Sequence, residues 1–133
     1  MLFRSSENIR RLAEVAVHLA RNGHIAIVAA VSPAREDRAT ARRIADTAFR
    51  EIHVATPAEI CEERDPKGHY KKARAGALAS FTGIGNDYEA PQAAELVIDT
   101  STRTVAEAAD EIEQMLKTSG VLFDEAVDLA ANI

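Results

Sequence analysis

The sequence predicts an α/β fold built on a mostly parallel sheet, and three observations carry that expectation. Short β-rich runs at 25–31, 51–55 and 96–99 alternate with stretches whose apolar residues recur at helical spacing. The run 25–31 is continuously apolar, as a parallel strand covered on both faces requires. With 133 residues, 47% of them hydrophobic, the chain is sized for one domain with a real core.

Each element has a local reason. Ser5 or Ser6 caps a helix running to Arg21, with Ile9, Leu12, Ala13, Ala16, Val17 and Ala20 on one face and Asn22-Gly23 as its end. Ser32-Pro33 stops the strand 25–31. A charged helix over about 35–49 and the strand 51–55 follow, and Thr56-Pro57 then opens a short helix to about residue 64. Beyond a basic loop come the strand 96–99 and an amphipathic helix over 104–117, with Val105, Ala108, Ile112 and Leu116 facing inward. A further helix through Leu122, Phe123, Ala126, Val127 and Leu129 is expected to pack on the domain or on a partner. The organisation expected is thus a domain over 1–119, with a loop at about 64–91, and a helical tail over 120–133.

The net charge of −5 argues against a general nucleic-acid binder, which needs a basic surface. The cations are nevertheless concentrated between Arg64 and Arg74, in the run Arg-Asp-Pro-Lys-Gly-His-Tyr-Lys-Lys-Ala-Arg-Ala-Gly. Lys and Arg give charge-assisted hydrogen bonds to phosphate oxygens, so this glycine-containing stretch reads as a lid over a small anionic ligand, a nucleotide above all. The single Cys61 rules out an intrachain disulfide, and no apolar window approaches the length of a membrane span. Together these predict a cytoplasmic protein with no membrane partner. The four histidines show no metal-ligand spacing, and no metal site is expected. A buried, structural thiol is the expected state of Cys61.

RDPKGHYKKARAG, with Phe81-Thr82-Gly83-Ile84 and Tyr88-Glu89-Ala90-Pro91 after it and Glu7-Asn8-Ile9-Arg10-Arg11 and Val31-Ser32-Pro33 before it, resembles the adenylylsulfate (APS) kinase family. The motifs fall in the family's order over roughly residues 7–100. The resemblance implies a three-layer P-loop nucleotide-kinase-like fold. It also implies transfer of the γ-phosphoryl of Mg·ATP, the cosubstrate, to the 3′-hydroxyl of APS, making 3′-phosphoadenylyl sulfate (PAPS) for sulfate assimilation. Proteins of the family begin with a strand and a GxxxxGK[ST] loop, and none of the six glycines here forms such a loop. The expectation is a domain missing its P-loop strand and helix, inactive as a kinase by itself. A non-catalytic module that binds APS or PAPS, or scaffolds a sulfurylase-kinase system, is the alternative. The strands flanking a missing inner strand would expose unpaired edges, which predicts dimerisation, edge closure by strand rearrangement or low stability. The partners that the resemblance implies are a second copy of the chain, as a homodimer, or ATP sulfurylase in a fusion or complex.

The resemblance also assigns roles. Ser32, at the carboxyl end of the strand 25–31, matches an active-site Ser able to accept phosphate, and Lys71 is the second catalytic candidate. Asn8, Arg11, Val31, Arg35, Lys71, Lys72, Phe81 and Thr82 match the APS side, with Phe81 stacking on the adenine. Cys61, Arg64, Asp65 and Lys67 match the nucleotide side. Arg35 and Arg38 meet an SPxRxxR pattern, of which Arg35 is the expected phosphosulfate contact, while Arg42 and Arg43 read as a solvated helix face. Ser5 stands where the family has an Arg, and Val31 where it usually has Ile.

Overall fold

The computed structural model describes residues 2–76 and 88–122. The motif Phe81-Thr82-Gly83-Ile84 and most of the expected tail helix, from Phe123 onward, lie outside the described residues. In chain order the elements are α1 (Leu2–Arg21), α2 (Arg35–Ala45) with a 3-10 turn (Asp46–Ala48), β1 (Ile52–Val54), α3 (Ala58–Arg64), α4 (His69–Arg74), β2 (Leu96–Ile98) and α5 (Val105–Thr118).

Helix α1 begins earlier than the Ser5 or Ser6 cap predicts, at Leu2. Its exposed face is laced by ion pairs of Glu7 with Arg10 at 2.7 Å and with Arg11 at 2.9 Å, and of Arg10 with Glu14. Such neighbours three and four residues apart each add a few tenths of a kcal/mol. The opposite face buries Ile9 and Ala13 against Ala41 of α2, with Leu12, Ile44 and Phe49 packed around them. The helix stops as its sequence dictates. The Asn22 side chain donates to the His18 carbonyl at 2.7 Å, and Gly23 takes φ +84°, a conformation that glycine adopts without a Cβ penalty.

Strands β1 and β2 pair in parallel, with Ile52 opposite Leu96, His53 opposite Val97 and Val54 opposite Ile98. Ile98, 2% exposed, is the most deeply buried large side chain described. The expected strand at 25–31 does not form. Its residues join none of the described backbone hydrogen bonds, and Ile27 is 89% exposed. An apolar run becomes a strand only where a neighbour supplies a ladder, and among the described residues β1 pairs with β2 alone. Helix α5 matches its prediction to within a residue, except that Val105, in its first turn, faces solvent rather than the core.

Candidate functional site

Two clusters form around the ends of these elements. The first lies at the carboxyl ends of β1 and β2. Thr56 and Thr100 follow the two strands, and their hydroxyls meet at 2.6 Å. The Arg64 guanidinium clasps Thr100, reaching its hydroxyl at 2.8 Å and its carbonyl at 2.9 Å. Half-buried Cys61 points its thiol at the Thr56 carbonyl, 3.7 Å away. Asp65 accepts hydrogen bonds from the Tyr70 and Lys71 amides at 3.1 and 3.0 Å, and so satisfies the amino end of α4. Burial raises the Asp65 pKa, but the amides of Lys71, Tyr70 and His69 outweigh it and hold the carboxyl below its ordinary range. Gly68, at φ +64°, makes the turn into α4.

Three of the four residues predicted for the nucleotide side, Cys61, Arg64 and Asp65, are therefore brought together, and Lys67 lies exposed on the turn beside them. Thr56 and Thr100 belong to the same cluster, which sequence reasoning missed. The signal was available, since each is the first hydroxyl after a predicted strand. The basic loop divides by use. Arg74 is committed to Glu62, whereas Lys71 and Lys72 stand exposed on α4.

The second cluster joins the Ser-Pro turn to Tyr88-Glu89-Ala90-Pro91. Ser32 has φ +39°, the left-handed region that disfavours side chains. Its Oγ is shielded from solvent and has no hydrogen-bond partner among the described residues. The Glu89 amide donates to the Pro33 carbonyl at 2.9 Å, and the Glu89 carboxylate accepts from the Arg35 amide at 2.7 Å, in place of an N-cap. The Arg35 side chain donates to the Ala90 carbonyl at 3.1 Å, so this guanidinium serves the fold as well as the surface.

Arg38 is the hub of this cluster. Its Nη1 donates to the Ser32 carbonyl at 2.5 Å and its Nη2 to the Glu89 carbonyl, while its guanidinium carbon lies 5.4 Å from the Tyr88 ring centre. Its Nε is 2.8 Å from Glu51 Oε1, a charge contact in which the N–H is not aimed along the line of a hydrogen bond. Tyr88 in turn stacks on His53 of β1, ring centres 5.9 Å apart. Arg42, expected on a solvated face, instead clamps Glu95 through two hydrogen bonds of 2.5 and 2.9 Å and stacks on Phe49. Arg43 keeps the expected solvated position, paired with Glu36.

Asn8 and Arg11 lie on the exposed side of α1. Asn8 sits in the second turn and not at a helix start, and Arg11 is tied to Glu7. Val31 is 67% exposed. No described contact joins Asn8, Arg11 or the α4 lysines to Ser32. Two surface concavities, about 430 and 580 Å³ in volume, lie beside the Arg42–Glu95 clamp, one lined by Arg42, Arg43 and Thr47 and the other by Glu95 and Met115, and neither reaches Ser32 or the α4 lysines. The candidate site is thus an open surface along the strand ends and the Ser-Pro turn.

Two parallel strands, with Thr56 and Thr100 at their carboxyl ends and a basic segment beside them, define an α/β protein. Comparison with known proteins narrows that class. Residues 4–99 match the family model for adenylylsulphate kinase. An adenylyl-sulfate kinase of Shewanella sp. (strain ANA-3) is 46% identical over 126 residues, covering 93% of this chain and 62% of its own length. One of Shewanella baltica (strain OS155) is 50% identical over 101 residues, covering 75% of this chain and 49% of its own. The Mycobacterium tuberculosis APS kinase CysC, solved in complex with AMPPNP and APS, superposes with a TM-score of 0.80 at 43% identity, over 84% of this chain and 66% of that one. This chain belongs to the adenylylsulphate kinase family and has its P-loop nucleotide-kinase fold. It spans about 62% of the length of the first Shewanella relative. Among the described residues no three His, Cys, Asp or Glu side chains converge as a metal cage, and no helix is long and apolar enough to cross a membrane.

Proposed function

We propose that this chain carries the APS-binding surface and the lid of an adenylylsulfate kinase, the enzyme class that moves the γ-phosphoryl of ATP to the 3′-hydroxyl of APS. The observation that carries this reading is the match of 84% of the chain to an APS kinase solved with AMPPNP and APS. On this reading Phe81 stacks on the APS adenine, with Thr82 beside it. Asn8, Arg11, Val31 and Arg35 bound the APS side, and Lys71 and Lys72 neutralise the phosphosulfate as α4 closes. Cys61, Arg64, Asp65 and Lys67 border the adenine nucleotide, and Ser32 is the active-site hydroxyl able to accept phosphate. Catalysis of this kind rests on positioning and charge neutralisation rather than covalent chemistry. Magnesium finds no cage among the described carboxylates, and none of these roles runs through it.

The 133 residues contain no GxxxxGK[ST] run. A phosphate loop cradles the nucleotide with backbone N–H groups and bridges its phosphates with Lys. We infer that phosphoryl transfer requires such a loop joined to this surface, and that these residues alone bind APS without turning it over. Their cytoplasmic setting and place in sulfate assimilation belong to the same reading. A second copy of the chain, or ATP sulfurylase as fusion or complex partner, would cover the exposed apolar run 25–31.

Calorimetric titration of the purified chain with APS, with and without ADP, tests the proposal. Micromolar binding is expected, weakened about tenfold or more in Phe81→Ala, since a base stacked on an aromatic ring contributes roughly 1–3 kcal/mol. A folded chain that takes up no APS, or turnover by the chain alone, would contradict it.

A further inference from the structure

A left-handed backbone at a residue other than glycine persists only where its surroundings over-determine it. Ser32 is such a residue, and the group that over-determines it is Arg38. The planar guanidinium reaches two carbonyls at once, those of Ser32 and Glu89, 57 positions apart in sequence, as a rigid fork of donors allows. Its remaining nitrogen faces Glu51, its guanidinium carbon lies over the Tyr88 ring, and its side chain is only 10% exposed. The Glu89 bonds to Pro33 and Arg35 close the same unit from the other side. With the backbone so held, the Ser32 hydroxyl needs no partner to keep its place, and it has none among the described residues.

We propose that Arg38 is a positioning residue. It acts through the Ser32 carbonyl, sets the direction of the Ser32 hydroxyl and locks the Ser-Pro turn to the returning end of the lid. The reaction it serves is the one assigned under Proposed function, on which this inference rests. A structural alternative is that Arg38 merely neutralises Glu51. Lysine separates the two, because one ammonium retains the charge beside Glu51 but cannot span both carbonyls.

The experiment compares the isotope-labelled wild-type chain with Arg38→Lys, reading the Ser32 backbone by NMR three-bond coupling and carbon shifts, APS affinity by calorimetry and Tm by thermal melting. Expected are a left-handed signature at Ser32 in the wild type, its loss in Arg38→Lys, an APS affinity about tenfold weaker and a Tm a few degrees lower, since one of two carbonyl bonds is lost. Should Arg38→Lys not fold, the double variant Arg38→Gln/Glu51→Gln, which removes both charges together, takes its place with the same readouts. A Ser32 signature identical in wild type and variant overturns the proposal, as does a Tm that falls while the signature stays. If the wild type binds no APS, the functional reading fails by itself, and the NMR comparison still decides whether Arg38 holds Ser32.

Discussion

Glu95 shows how a single carboxylate takes its properties from residues far along the chain. Arg42 donates two hydrogen bonds to it from α2, burial opposes their effect, the Glu51 amide adds a third bond at 2.6 Å, and the pKa is held at about 2 against an ordinary 4.5. A carboxyl depressed in the fold stabilises it fully above the unfolded value and loses that contribution as pH falls through the folded one. Glu95→Gln is therefore expected to cost about 1 kcal/mol at neutral pH, solvent screening having reduced the pair's worth. The difference from wild type should shrink between about pH 4.5 and pH 2. Urea unfolding at a series of pH values checks this, and a difference that widened in acid would refute it. The sequence marks Arg42 only as one of several charges on a helix. Its partners lie at positions 51 and 95, and that distance in sequence is why the clamp was not legible.

Among the elements, α5 was the easiest to read, because its signals are local. Thr104 accepts from the Glu107 amide at 3.2 Å, and Glu107 accepts from the Thr104 amide at 2.7 Å, a reciprocal box visible as T-x-x-E. Thr104→Ala should cost about 1 kcal/mol in urea unfolding without changing the fold. No loss at all would mean that α5 is held only by its packing on β2. Helix α1 was legible for a similar reason, since its apolar spacing matches its buried face. The strand expected at 25–31 was not, because apolar content sets the tendency to pair while an adjacent ladder decides whether pairing happens.

For the molecule as a whole, that unpaired run is the main liability. Ile25, Ile27, Val28 and Val31 are 49%, 89%, 48% and 67% exposed, and exposed apolar residues close together in sequence favour association. The chain is expected to self-associate at micromolar concentrations, and Ile27→Lys should shift it toward monomer in sedimentation velocity. A wild-type chain that stays monomeric throughout would remove the case for a second copy covering this face.

What the sequence by itself determined is whatever depends on neighbours in the chain: helical periodicity in α1 and α5, the turn at Asn22-Gly23, the concentration of cations over 64–74 and the ordered motifs of the family. What only the tertiary structure decided is which charges are spent on the fold and which stay exposed on its surface. Arg35, Arg38, Arg42, Lys71 and Lys72 look alike as letters. Yet the first three are drawn into bonds with residues 32, 51 and 88–95, while the two lysines remain exposed. The reason is physical: a cation's role is set by which carbonyls and carboxylates lie within about 3 Å of it, and the packing of distant segments brings them there.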